Sequence, residues 1–233
     1  MIPVYYDLHI HSALSPCADD DMTPNDIVGM AILNGLDLIA VTDHNSFANV
    51  AAVMKAASAA QTPAGNELIV LPGIEVSTIE EVHVICLFRD MESALNFEAE
   101  LTPLYSTLAN RTDIFGNQLV YDEEDCVTGE IKRMLIAPVS ISFDDLYHLT
   151  GKYGGAFIPA HIDRESFSVM SNLGFLPPHL SINTVEVTRP ASLPADKNVI
   201  FSSDAHQLWT INERKHFLML PERTAKAAID FLR

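Results

Sequence analysis

The feature that most restricts how this chain can fold is an alternation of short apolar runs with helix-periodic segments that carry their own start and stop signals. After the first run, "VYYDLHIH", comes "TPNDIVGMAILNG", where Thr23 is placed to cap a helix, Pro24 to open it and Gly35 to end it. "LDLIAVTDH" reads as a buried strand, and Ser46 can cap a second helix through "NVAAVMKAASAA". "LIVLPGIEVS" and "VHVICLF" give two more strands, followed by helix from about residue 91 to residue 110. The capped helix "SFDDLYHLTGKYGG", the strands "AFIPAH", "INTVEVT", "NVIFSSDAH" and "HFLML", and a helix in "ERTAKAAIDFL" complete the series. Strands and helices in this order build a parallel sheet covered by helices, so the expected class is α/β. Residues 111–137 break the pattern, being polar and turn-rich. They read as an insertion on the rim of one domain spanning residues 1–233.

Composition supplies limits rather than a fold. With 48% hydrophobic and 19% charged residues the chain has ample material for a core. Its three cysteines are odd in number and scattered, which argues against a disulfide framework. No signal-peptide pattern or membrane-length apolar stretch is visible, so a cytoplasmic location and no membrane partner are expected. The sequence gives no guide to oligomeric state. Fourteen Lys and Arg against 31 Asp and Glu leave a net charge of −17 with no basic cluster, so no phosphate-tracking nucleic-acid surface is expected. Solubility is the default meaning of such a charge; carboxylates that converge would instead be offset by divalent cations.

The histidines are not scattered. His9 and His11 share one face of a strand by the i, i+2 rule, and Asp204 and His206 repeat that spacing. His44 ends "VTDH", Glu75 lies in "LPGIEVS", His83 in "VHVICLF", and His161 ends "FIPAH". In α/β barrels the C-terminal strand ends converge on one face, so separate strands can deliver these ligands to one pocket. A lone histidine is more often a hydrogen-bonded bystander, which is how His148, His179 and His216 are read. For the other six that reading has to hold six times at strand ends, and it fails.

Taken in order, "DLHIHS", "GLDLIAVTDHNS", "GIEVS", the "VHVICLF" histidine, "PAH" and "SSDAH" resemble the PHP family, the polymerase-and-histidinol-phosphatase superfamily of metal-dependent phosphoesterases. The resemblance implies a distorted (βα)7 TIM-like barrel holding two to three divalent metal ions, from Zn, Mn and Fe. It implies that His9 and His11 share one metal with Glu75 and Asp204, that Glu75 bridges to a second held by His83 and His161, and that His44 and His206 help to hold a third. The family's further acidic or histidine ligand after the first His-x-His has no match at the usual spacing, where Pro16 and Cys17 stand. Counting back from the Thr23-Pro24 cap reaches Asp19, and a carboxylate suits the same metals as imidazole. Asp19 is therefore the expected third-site ligand, with Asp20 and Cys17 as alternatives.

Mixed His/carboxylate ligation leaves metal positions open, and adjacent metals lower the pKa of a bridging water and neutralise charge on attacking and departing oxygens. The expected activity is hydrolysis of a phosphate ester on a small phosphorylated substrate. Asp204 and His206 belong to the catalytic machinery, and Arg164 and Arg189, just beyond strand ends, are candidate phosphate clamps. Hydrolysis of another bond, such as C–N, and a non-catalytic metal-binding domain are the alternatives.

Overall fold

The structure is a computed structural model that describes residues 1–60, 65, 67–190 and 196–233. In chain order it has β1 (Ile2–Ile10), α1 (Pro24–Leu33), β2 (Leu38–Val41), α2 (Val50–Ala59), β3 (Ile69–Ser77), β4 (His83–Leu87) and α3 (Met91–Leu101). Next are α4 (Thr112–Phe115), β5 (Leu119–Tyr121), β6 (Val127–Glu130), α5 (Phe143–Lys152), β7 (Ala156–Pro159) and α6 (Val169–Asn172). β8 (Thr184–Glu186), β9 (Asn198–Ile200), β10 (Phe217–Leu220) and α7 (Ala225–Leu232) close the series. The capped helices form for the reasons written in their sequences. Thr23 accepts from the Asp26 N–H at the head of α1, and Ser142 accepts from the Asp145 N–H at the head of α5. Two helix expectations shift: α2 starts at Val50 with Asn49, not Ser46, at its cap, and α3 gives way to a 3-10 turn over Thr102–Leu104 that accommodates Pro103.

The six-stranded main sheet runs β10-β1-β2-β3-β4-β7. β1, β2 and β3 are parallel, whereas β3–β4, β4–β7 and β10–β1 are antiparallel. The all-parallel expectation is thus corrected at β4. Only residues 78–82 separate β3 from β4, too few for a crossover, so the chain must double back. β8 and β9 form a small parallel pair. The Ile162 N–H donates to the Glu186 carbonyl at 2.9 Å, tying the end of β7 to β8, and the His11 N–H donates to the Ala205 carbonyl at 2.8 Å, tying the segment after β9 to β1. The result is a mixed α/β fold with a curled, half-barrel sheet rather than a regular series of seven βα units.

Two apolar layers lie on the two faces of this sheet. The concave face carries Val4, Tyr6, Leu8, Leu38, Ala40, Leu71, Ile85, Leu87 and Ile158, and α7 stops its lower end with Ala228, Ile229 and Leu232. The convex face packs Ile39, Val41, Ile74 and Val84 against Ile27, Val53, Phe97 and Leu146 of the covering helices. Strand alternation predicts which side chains rise above the concave layer. Glu75 continues the row Leu71–Gly73–Glu75, and His83 continues the row Leu87–Ile85–His83. β1 needs one more device. Val4, Tyr6 and Leu8 belong to the concave layer but Ile10 to the convex one, and the pairing with β2 shifts register between Asp7 and Ile10. That irregularity reverses the phase of the pleat, so that His9 and His11 turn to the concave side.

Candidate metal centre

Above the apolar layer the concave face becomes polar and buried. His9 and His11 have no exposed surface and Glu75 has 1%. His9 Nε2 lies 3.1 Å from His11 Nε2, and both face Asp204 Oδ1, at 3.2 and 3.1 Å. Glu75 stands at the middle: His44 Nδ1 and His83 Nδ1 are each 2.9 Å from one of its oxygens, and His9 and His161 Nε2 are each 3.4 Å away. Donor atoms of His9, His11 and Asp204 lie within 4.8 Å of one another, as do those of His44, Glu75 and His83, and of His11, His44 and His206.

The tautomers explain why two imidazole nitrogens approach so closely. His9 Nδ1 donates to Glu186 at 3.1 Å, and His11 Nδ1 donates to Ser15 Oγ at 2.9 Å, whose own hydroxyl donates to Asp43 at 2.7 Å. As neutral ligands, with each Nδ1 carrying its hydrogen, the two rings would direct bare Nε2 lone pairs at one point. Two lone pairs cannot hydrogen-bond each other; 3.1 Å apart, both can sit about 2.0–2.1 Å from one cation. His206 repeats the device, donating from Nδ1 to the Asp204 carbonyl at 2.8 Å.

Unpartnered groups carry the same message. Both Glu75 oxygens, His44 Nδ1 and His161 Nδ1 are buried without a hydrogen-bond partner; the 2.9 Å separations around Glu75 bring charges together without hydrogen-bond angles. Orphaned buried groups of this kind are costly unless an ion completes them. Burial alone would raise the Glu75 pKa, yet His83, His9 and His44 hold it well below the usual carboxylate range. Asp204 follows the same balance, burial opposed by His9 and His11, and is likewise strongly depressed. For His9, burial opposes protonation but Glu186, Asp204 and Glu75 outweigh it. Burial holds His11 and His83 below the usual imidazole range, so the carboxylates face rings that stay neutral as well as His9, and the donor set fits divalent cations. Backbone strain concentrates here too: His161 has φ +30°, Asp204 +53°, Asn45 +50° and Phe167 +55°, all in the left-handed region.

The structure therefore brings together His9, His11, His44, Glu75, His83, His161, Asp204 and His206. It does not bring Asp19. That carboxylate is exposed and accepts from Gln207 Nε2 at 3.0 Å, while Asp20 accepts from Asn117 at 2.8 Å. The sulfur of Cys17 lies 3.1 Å from His206 Nε2. The side chain keeps an exposed surface; desolvation by the surrounding groups raises that thiol's pKa, but hydrogen bonds with His206 and His44 outweigh it and bring it down to about 7. The two aspartates follow the turn outward, so the count back from the Thr23 cap reaches a carboxylate that stands away from the cluster. Arg164 lines the cavity of about 130 Å³ above the cluster and pairs with Asp204 Oδ2 at 2.6 Å. Arg189 is absent from that lining; its backbone N–H donates to Asp163 at 3.0 Å. Sequence reasoning missed Glu186, Asp43 and Ser15, which orient the histidines. The available signal was a carboxylate inside the apolar strand "INTVEVT".

Known proteins place this geometry. Residues 7–163 match the PHP domain family. A stretch of 98 residues is 33% identical to the 5'-3' exoribonuclease Rnm of Escherichia coli K12, covering 41% of this chain and 31% of that protein. The lesion-specific endonuclease PfuEndoQ of Pyrococcus furiosus superposes on 99% of this chain and 56% of its own, at TM-score 0.69 and 17% identity. An endonuclease Q complex with a 27-mer duplex carrying an abasic lesion superposes on 89% of this chain and 50% of its own, at TM-score 0.61 and 18% identity. The chain thus spans about a third to a half of the length of these relatives. They overturn the expectation of a small phosphorylated substrate and no nucleic-acid surface, since one relative is an exoribonuclease and another holds duplex DNA. That expectation counted lysines and arginines, whereas a histidine and carboxylate cluster can meet phosphate through bound cations instead. The fold, the ordered ligand motifs and the family match over 157 residues (7–163) agree, and the chain belongs to the PHP domain family.

Proposed function

We propose that the chain is a metal-dependent hydrolase of phosphodiester bonds in nucleic acid, working with two to three divalent ions from Zn, Mn and Fe. The observation that carries it is Glu75, a fully enclosed carboxylate with four imidazole nitrogens within 3.4 Å and no hydrogen-bond partner of its own. His9, His11 and Asp204 would hold one ion, Glu75 would link it to a second held by His83 and His161, and His44 and His206 would hold a third. When bound, these ions lower the pKa of a shared water and neutralise charge on the phosphoryl oxygens. The protein's own part is placement. Arg164 reaches the cavity with a guanidinium suited to phosphate, and its pairing with Asp204 fixes it at the mouth. Phe167 lines the same cavity, packs on His83 with ring centroids 4.8 Å apart and leaves 46% of its surface to solvent, a platform on which a base can stack. Glu186, Ser15 and Asp43 hold the imidazole tautomers so that no ligand has to reorganise. Three free cysteines suit the reducing cytoplasm.

The test is turnover of end-labelled single-stranded RNA and DNA with added Mn or Zn, beside bis-p-nitrophenyl phosphate and p-nitrophenyl phosphate. Diester cleavage should exceed monoester cleavage, stop with chelator and be lost in His44→Ala. Cleavage of the monoester alone by the metal-loaded protein would overturn the nucleic-acid reading.

A further inference from the structure

We propose that Cys17 is a thiolate ligand of the third metal, and that the segment 111–137 braces the loop that presents it. Two anchors fix that loop. Its first residue, Ser15, is tied to Asp43 and His11, and at its far end the Asp19 N–H donates to the His206 carbonyl at 2.9 Å. Between them the Ala18 N–H donates to the Ser15 carbonyl at 2.9 Å, closing a tight turn in which Pro16 fixes the backbone and Cys17 sits next to it. This turn aims sulfur at His206 Nε2, 3.1 Å away, and that nitrogen is the bare one because Nδ1 is spent on the Asp204 carbonyl. The donor nitrogens of His11 and His44 stand within 4.8 Å of that of His206, and His44, 6% exposed, turns Nδ1 to Glu75 at 2.9 Å, which leaves its other ring nitrogen for this side. The sulfur meets His206, with the donor nitrogens of His44 and His11 beside it, while Asp19 and Asp20 are engaged elsewhere.

The bracing is visible at one glycine. Gly116 has φ +98°, and a Cβ there would lie 2.2 Å from the Pro16 carbonyl oxygen. The Leu119 N–H donates to the Ala13 carbonyl at 2.9 Å, and Tyr121 Oη donates to the Asp20 carbonyl at 3.1 Å. The turn is thus clamped between His206 on one side and the segment 111–137 on the other. Sulfur changes what this position selects: imidazole nitrogens with a thiolate favour Zn, Co(II) or Fe(II), while carboxylate-rich positions accept Mn readily.

The assignment rests on the metal-site reading above, but its test reads the sulfur–metal bond directly. Chelator-stripped protein carrying Cys126→Ser, which removes the other exposed thiol, is titrated with Co(II). A near-ultraviolet thiolate-to-Co(II) charge-transfer band is expected, absent from Cys17→Ser and Cys17→Asp while the visible bands of the remaining cobalt persist. In the same background, bound Zn should slow the reaction of Cys17 with a thiol reagent at least tenfold. Gly116→Ala, which touches no ligand, should weaken the band at equal cobalt and unchanged circular dichroism. A band that survives Cys17→Ser, or cobalt at three per chain without the band, overturns the ligand assignment whether or not nucleic acid is cleaved. A full band in Gly116→Ala overturns the bracing. Loss of nuclease activity with the band intact bears on the function alone.

Discussion

At the scale of the residue, the centre depends on charges that have no solvent to fall back on. Glu75→Gln keeps the shape of the side chain and removes the negative charge that several imidazoles face. Loss of more than one metal per chain, by elemental analysis after reconstitution, is expected together with loss of turnover; a variant with full metal content and full rate would make Glu75 an ordinary strand carboxylate. Glu186 touches no proposed metal position but fixes the His9 tautomer and accepts the His161 N–H at 3.0 Å. Glu186→Gln should lower metal affinity about 10- to 100-fold, the usual scale for a partner behind a ligand, measured by chelator competition. Equal affinity in the variant would show that His9 needs no such support.

At the scale of the element, β3 and β4 illustrate how packing below the site serves the site. Gly73 lies one pleat below Glu75, and a Cβ there would come within 2.7 Å of Thr42 Cγ2 and 2.8 Å of Leu87 Cδ2. Both neighbours are buried, Thr42 just past the end of β2 and Leu87 in β4, so Gly73→Ala should destabilise by about 1–3 kcal/mol in denaturant unfolding. Because the strain falls directly under Glu75, metal affinity should fall with it; a variant of native stability would mean that β2 and β4 separate without cost. By contrast Ser142→Ala, at the head of α5, should cost about 1 kcal/mol and leave metal binding unchanged.

At the scale of the molecule, the acidic charge and the metal centre are linked. Apart from ions, a chain of net charge −17 repels a polyanion, so divalent cations should govern substrate binding as well as turnover. Oligonucleotide binding by catalytically silent protein, followed by fluorescence anisotropy, is expected to vanish when metal is chelated; binding that is unchanged in chelator would require a surface the described residues do not suggest. The proposed ions would join β1, β2, β3, β4 and the segments after β7 and β9 at one point. Metal-loaded protein should therefore melt at higher temperature than stripped protein, with about 2.7 kcal/mol gained at a hundredfold excess over the dissociation constant of a site. Identical melting curves would mean that the unloaded cluster is as stable as the loaded one.

Much of this was legible before any coordinates. Periodicity, the Thr23 and Ser142 caps and the order of strands set an α/β fold, because those signals act within a few residues of chain. The histidines at strand ends set a metal site, because strand ends of such folds converge. What sequence spacing does not contain is phase and aim. The register shift in β1 that turns His9 and His11 inward, the five-residue return that makes β4 antiparallel and carries His83 to the centre, and the arrival of Glu186 behind His9 from 177 residues away are set by contacts between distant segments. Cys17 and Asp19 are two residues apart, and the sequence alone favours the carboxylate. A turn clamped between the His206 carbonyl and Gly116 decides which of them faces the histidines, because a side chain's direction follows from the backbone that holds it, and that backbone is held by the far end of the chain.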